Sequence, residues 1–366
     1  MSRAFRLLLV ATAVLVAACT SDAEEVTTTT TEPTTSSTGA AGESTEPATT
    51  ISGLATSTST TTPHLPPEEL SIGAFPVPSG SRPHDVAPAA DGGVWYTAQG
   101  SGELGWLDPA TGETVHIPLG AGSAPHGVIV DDQGTPWVTD GGLNAIISVD
   151  PESHELTVHA LGDDRPNSGA HTATFDEEGV LWFTGNRGGV YGMLDPATGD
   201  MQVYDAPQGG GPYGITATPG GDVFFANLSA SYVAAIAADG SATVLEPPTP
   251  DQGARRVWSD SEGSIWVSEW NTGDLSRYNP DTGEWDTWPL PGENPAAYAV
   301  YVDEADIVWV SDFGANAMVR FDPVTEEFSV YQLPHDPGEV RQILGRPGEV
   351  WGAESAVDHL IVIRTR

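Results

Sequence analysis

The stretch Ala124-Pro125-His126-Gly127-Val128-Ile129-Val130-Asp131-Asp132-Gln133-Gly134-Thr135-Pro136-Trp137-Val138-Thr139-Asp140 decides the fold. The β-branched run Val128-Ile129-Val130 favours extended backbone, Asp131 to Gly134 supply a tight turn, and Trp137-Val138-Thr139 continue as a second strand. An isolated hairpin of this size is marginal in water, but near-copies recur. Aligned on the aromatic residue of the second strand, they carry Trp95, Trp137, Trp182, Phe224, Trp266, Trp309 and Trp351, at spacings of 42, 45, 42, 42, 43 and 42 residues. Copies continue with a third strand such as Glu103-Leu104-Gly105-Trp106-Leu107, a turn such as Asp108-Pro109-Ala110-Thr111-Gly112, and a fourth strand such as Thr114-Val115-His116-Ile117-Pro118.

A period in the low forties with four short strands per unit is the signature of a β-propeller. Seven markers predict an all-β, seven-bladed propeller over residues 71–366. The last unit runs out after Leu360-Ile361-Val362-Ile363, whereas Ser71 to Val77 reads as a lone fourth strand. That N-terminal strand is therefore expected to complete the seventh blade and close the ring, leaving no open sheet edge.

The chain has 366 residues and a net charge of −38, and its 13 basic residues are all arginine. Such acidity disfavours nucleic acid and a polybasic membrane patch. Residues 1–18 read as a lipoprotein signal peptide: Arg3 and Arg6 precede the apolar run Leu7 to Val16, and Val16-Ala17-Ala18-Cys19 resembles a bacterial lipobox. Cys19 is the single cysteine and the expected lipidation site, placing the protein at the extracytoplasmic side of the cell membrane, with the lipid its only membrane contact. Residues 19–70, rich in Thr, Ser and Pro, read as a disordered linker. A monomer is expected.

The first strand of a blade lines the central channel, so its starting residues gather at one mouth, where a propeller's ligand usually sits. These positions read His84, His126, His171, Tyr213, Arg255, Tyr298 and, if blade seven is one residue shorter, Arg341. The second-strand ends beside them read Ala98, Asp140, Gly185, Asn227, Glu269, Asp312 and Glu354. His, Arg and Tyr suit acid–base and oxyanion chemistry, and Asp and Glu suit a hard cation. Three imidazoles on one zinc or iron is not favoured, since adjacent inner strands are expected to hold them apart. His116, His154, His159, His335 and His359 fall outside the ring and show no partner pattern.

From about Ser71 to Arg366 the repeat resembles that of the streptogramin B (virginiamycin B) lyases. The resemblance rests on Pro83-His84-Asp85-Val86, Pro125-His126-Gly127-Val128, Leu181-Trp182-Phe183-Thr184 and Ile265-Trp266-Val267-Ser268-Glu269. It implies a seven-bladed propeller that linearises a cyclic depsipeptide by elimination across its ester. In that chemistry a histidine removes the proton α to the carbonyl, and Mg²⁺ held by glutamates polarises the ester. Carried onto this chain, the family's sixth-blade substrate histidine falls on Tyr298. Its Glu-x-His falls on Glu339-Val340-Arg341, and its second metal glutamate falls on Ser355, next to Glu354. The implied Mg²⁺ ligands are thus Glu339 and Glu354, while the base position holds Arg341, whose guanidinium stays protonated.

Two function classes follow. One is an exported lyase or other ester-cleaving propeller, with His126 or its neighbours His84 and His171 as base and Arg255 or Arg341 on an oxyanion. The other is a non-catalytic propeller that binds a small molecule, peptide, glycan or protein at the same mouth, with Tyr213, Arg255 and Tyr298 among the contacts.

Overall fold

A computed structural model of the chain describes residues 64–366; the signal segment, Cys19 and most of the 19–70 stretch lie outside them. The described residues form twenty-eight strands in seven four-stranded antiparallel sheets, with a single 3-10 turn at Pro67–Glu69. Six sheets take four consecutive strands each, and the seventh closes the ring as predicted. There Ile72–Pro76 pairs antiparallel with His359–Arg364, Ile72 opposite Ile363 and Phe75 opposite Leu360.

The core lies between blades. One cluster, for example, packs Trp266 and Leu275 of blade five against Val300, Val308, Val310 and Val319 of blade six. The aromatic markers explain the Asp-x-x-Gly turn that precedes them. A buried indole N–H needs an acceptor, and the turn aspartate supplies it. Trp137 donates to Asp131 at 2.9 Å, Trp182 to Asp176 at 2.7 Å, Trp266 to Asp260 at 2.9 Å and Trp309 to Asp303 at 2.9 Å. The same carboxylates accept turn N–H groups, as Asp131 does from Gln133 and Thr135. Blade seven replaces the turn aspartate with Glu349, which accepts from Trp351 at 2.9 Å.

A second repeated device fixes the channel. In all seven blades the pairing of first and second strands slips beside the channel end, a β-bulge that leaves one or two residues without ladder partners. In most blades the Thr or Ser before the second-strand end compensates. The Thr139 hydroxyl accepts from Gly127 N–H at 2.8 Å and donates to the His171 carbonyl of the next blade at 2.6 Å. Thr97 does the same between Asp85 and His126, and Ser268 between Arg256 and Tyr298. These hydroxyls thus hold His126, His171, Tyr213 and Tyr298 by their backbone carbonyls from the preceding blade.

Residues 64–70, read from the sequence as the end of the linker, lie against the propeller. Leu65 N–H bonds the Thr365 carbonyl at 2.7 Å, the Tyr331 hydroxyl donates to the Pro67 carbonyl at 3.0 Å, and Leu70 packs against the blade six–seven core. Pro66 and Pro67 set up the single 3-10 turn, and Leu70 supplies the apolar contact with the propeller.

Candidate functional site

The seven predicted ring residues converge where the bulges lie. Pro83 pairs with Ala98 and the ladder resumes at Val86, so His84 and Asp85 sit in the bulge. In blade seven Val340 pairs with Glu354, which makes Arg341 the ring residue and confirms the one-residue shortening. Neighbouring side chains touch. Ring centroids are 3.8 Å apart for His84 and His126, 3.6 Å for His126 and His171, and 3.9 Å for His171 and Tyr213. The Tyr213 and Tyr298 hydroxyls then meet at 2.7 Å. The expectation that adjacent inner strands hold the imidazoles apart is therefore corrected: the strands converge enough for the tilted rings to touch. His84, His171, Tyr213 and Tyr298 are buried, and the half-buried His126, Arg255 and Arg341 face the mouth between them.

Burial dominates the electrostatics. It holds His84, His126 and His171 well below the ordinary histidine range, and the charge of Arg256 pushes each further down. All three are neutral imidazoles at pH 7. The tautomer of His126 is fixed: its Nδ1 lies 2.9 Å from the His171 carbonyl, which only accepts, so Nδ1 carries the proton and Nε2 the lone pair. The Nδ1 of His84 meets Asp85 Oδ1 at 2.7 Å, and that of His171 meets the Thr172 hydroxyl at 2.9 Å.

Arg255 is held by aromatic faces. Its guanidinium carbon lies 3.5 Å from the Tyr298 ring centroid, 4.5 Å from Trp270 and 4.6 Å from Tyr213. Its Nη2 donates to the Tyr213 hydroxyl at 2.8 Å, and its Nε is buried without a partner. Among the described residues no carboxylate comes within ion-pairing reach of it. Arg341 lies beside it over Tyr298 and Phe313, and pairs with Glu339. Burial alone would raise the Tyr298 phenol, but Arg255, Arg256, the Tyr213 hydrogen bond and Arg341 together bring it below its ordinary value. Tyr213 moves up instead, through burial and the neighbouring phenol.

One residue further along each first strand lies a second ring that sequence reasoning missed: Asp85, Gly127, Thr172, Gly214, Arg256, Ala299 and Gln342. Arg256 spans it, reaching Asp85 at 3.2 and 3.4 Å and the Thr172 hydroxyl at 3.0 Å. The two glycines leave the room. A Cβ on Gly214 would stand 2.6 Å from Arg256 Cα, and one on Gly127 would stand 2.8 Å from the His171 carbonyl oxygen. The signal was present in Arg255-Arg256 and His84-Asp85, since at a bulge both residues of such a pair turn into the channel.

The second-strand ends are largely committed to turns. Asp140 accepts from the N–H groups of Ala124, Gly142 and Leu143, and Asp312 from those of Ala296 and Gly314. Glu354 is fully buried and bonds His335 Nδ1 at 2.7 Å, with its Oε1 unpartnered. His335 therefore has a partner that the sequence did not disclose, because the loop carrying it comes from between blades six and seven. Ser355 donates to the Pro83 carbonyl at 2.6 Å. Groups of three His or carboxylate donors close enough to share an ion, among the described residues, are His84/Asp85/His126 and His64/Asp303/Glu304; neither includes Glu339 or Glu354.

Fold and channel together define a seven-bladed propeller whose ionisable groups gather at one end of the channel. The chain belongs to the virginiamycin B lyase family, whose model matches residues 119–365. Among solved structures it is similar to virginiamycin B lyase from Staphylococcus aureus, at 19% identity and a TM-score of 0.75 over 81% of this chain and 99% of that one. A catalytically inactive histidine-to-alanine variant of that enzyme, solved with quinupristin, matches at 20% identity and the same TM-score, again over 81% of this chain and 99% of that one. A streptogramin B lyase structure matches at 24% identity and a TM-score of 0.75, covering 81% of this chain and 98% of that one. Extracellular domains are also among the structural neighbours, such as one from a hybrid two-component system of B. thetaiotaomicron, at 15% identity and a TM-score of 0.62 over 81% of this chain and 43% of that one. No curated protein matches the sequence significantly.

Proposed function

We propose that the mouth binds a small organic anion, its carboxylate or ester oxygen lying on Arg255 with Arg341 and His126 beside it. The observation that carries this reading is Arg255 itself. In a chain of net charge −38 it is a cation with no carboxylate partner among the described residues, set between three aromatic faces. Aromatic faces position a guanidinium without neutralising it, so its charge stays available to a ligand. The half-buried Trp270 and Phe313 offer an apolar wall for the rest of the molecule.

A second reading, elimination from an ester, is favoured by one observation: His126 is neutral and presents Nε2 as a base. On that reading His126 Nε2 takes the proton α to the carbonyl, Arg255 or Arg341 holds the enolate oxygen that develops, and the enolate collapses to a carbon–carbon double bond as the β C–O bond breaks and the ester carboxylate leaves. Mg²⁺ is given no step. Glu339 is engaged by Arg341, Glu354 is fully buried on His335, and Mg²⁺ keeps several waters that need room. The surrounding arginines add repulsion.

The assay that separates the readings uses quinupristin, the molecule solved with the S. aureus relative. Binding of carboxylates without linearisation of quinupristin supports the first reading. Linearisation that survives EDTA and disappears in His126→Ala supports the second. The same reading places the protein outside the cytoplasm, tethered by a lipid on Cys19 and otherwise monomeric.

A further inference from the structure

The other end of the channel is a separate cavity of about 260 Å³. It begins at the second ring and contains none of the seven mouth residues in its lining. Its walls are apolar: Ile129, Val130, Phe175, Trp258, Ile343 and Leu344. Its inner end is polar, formed by Asp85, Thr172, Arg256 and Gln342. Between it and the mouth lie the touching His84, His126, His171 and Tyr213 rings.

Arg256 is 4% exposed, and its Nε is buried with no hydrogen-bond partner although its Nη atoms reach Asp85 and Thr172. Arg256 lines the inner end of the cavity, and its Nη1 donates one N–H to Thr172 and keeps a second with no partner among the described residues, which an acceptor entering the cavity can take. The acceptor should be neutral. Asp85 already compensates the guanidinium charge, and a ligand carboxylate would meet that aspartate at close range. A cavity of about 150 Å³ holds a benzene-sized molecule, so this one admits a ring with a short side chain.

We infer that this cavity is a second binding site, for a small neutral apolar molecule carrying one carbonyl oxygen, which accepts from Arg256 while its body lies on Phe175, Trp258 and Leu344. The inference does not depend on what the mouth binds.

The test is calorimetric titration of the purified chain with three matched probes: 4-phenylbutan-2-one, butylbenzene and 4-phenylbutyrate. The ketone should bind about tenfold or more tightly than the hydrocarbon, the worth of one hydrogen bond to a charged donor. The butyrate is compared on Arg255→Gln, which removes the anion site at the mouth, and there it should bind about tenfold or more weakly than the ketone. Asp85→Leu with Arg256→Met removes the donor without stranding a charge and should erase the preference for ketone over hydrocarbon. Thr174→Phe, which fills the cavity from a half-buried lining position, should weaken ketone and hydrocarbon alike. Absence of saturable ketone binding to the wild-type chain, equal affinity for ketone and hydrocarbon, or butyrate binding to Arg255→Gln as tight as the ketone's would each overturn the inference. Should the double variant fail to fold, the wild-type ranking of ketone over hydrocarbon and Thr174→Phe decide.

Discussion

Arg256 of blade five reaches across the channel to Asp85 of blade one, its Nη2 lying 3.2 and 3.4 Å from the two carboxylate oxygens, with both residues buried. The pair ties blades five and one together at the level of the second ring. It also sets the charge seen by the three histidines above it.

Breaking this pair from one side leaves a buried charge uncompensated. Asp85→Ala should therefore cost about 3–5 kcal/mol. Replacing both residues with apolar ones, Asp85→Leu with Arg256→Met, should cost less than Asp85→Ala alone, because neither charge is then stranded. Urea unfolding of the two variants and the parent checks this; a double variant that costs as much as Asp85→Ala or more would contradict it.

The buried imidazoles predict a pH dependence with a definite sign. Burial, reinforced by Arg256, holds the native pKa of His84, His126 and His171 below the unfolded value of about 6.5. Below pH 6.5 the unfolded chain thus binds more protons than the native one, and stability falls as the pH drops. The slope approaches about 1.4 kcal/mol per pH unit for each such histidine. The Asp85 carboxyl, raised by burial, opposes this at lower pH, where the native state takes up its proton first. Urea midpoints measured from pH 7.5 to 5.5 should fall steadily, and His171→Gln should reduce the slope by about one proton. A flat profile would contradict the account.

The hydroxyl relay between blades is open to a simple substitution. Thr139→Val keeps the shape but strands the Gly127 N–H, while the His171 carbonyl keeps the bond from His126 Nδ1. A loss of about 1–3 kcal/mol for the stranded group is expected. Thermal or urea unfolding would measure it, with Thr111→Val in an exposed turn as the near-neutral control.

Membrane attachment is expected to rest on one atom. Cys19→Ala should move the protein from the detergent phase to the aqueous phase in a partition experiment. Retention of the variant in the detergent phase would remove the lipid anchor from the account.

The fold was legible because its determinants are local and repeated. A marker aromatic every 42 to 45 residues, a turn aspartate six residues before most of the tryptophans, and a hydroxyl two after the marker in five of the seven units are all visible in one dimension. The mouth residues were legible for the same reason, including the register of Arg341. The second ring was not. Whether Asp85 or Arg256 turns into the channel depends on the bulge beside it, and a bulge is a property of two strands rather than of one motif. The His335–Glu354 contact was hidden for a related reason, since it joins an inter-blade loop to the end of a buried strand. The closeness of the imidazoles was misjudged because strand spacing at the channel depends on how the whole ring closes.

The claim that the mouth is an anion site turns most directly on Arg255. Isothermal titration of N-acetylphenylalanine, benzoate and succinate, each against its neutral amide, would test it on the wild-type chain and on Arg255→Gln. At least one acid should bind about tenfold or more tightly than its amide at low salt, and the preference should vanish in the variant. Acids and amides binding alike to the wild-type chain, or a preference that survives in Arg255→Gln, would contradict it.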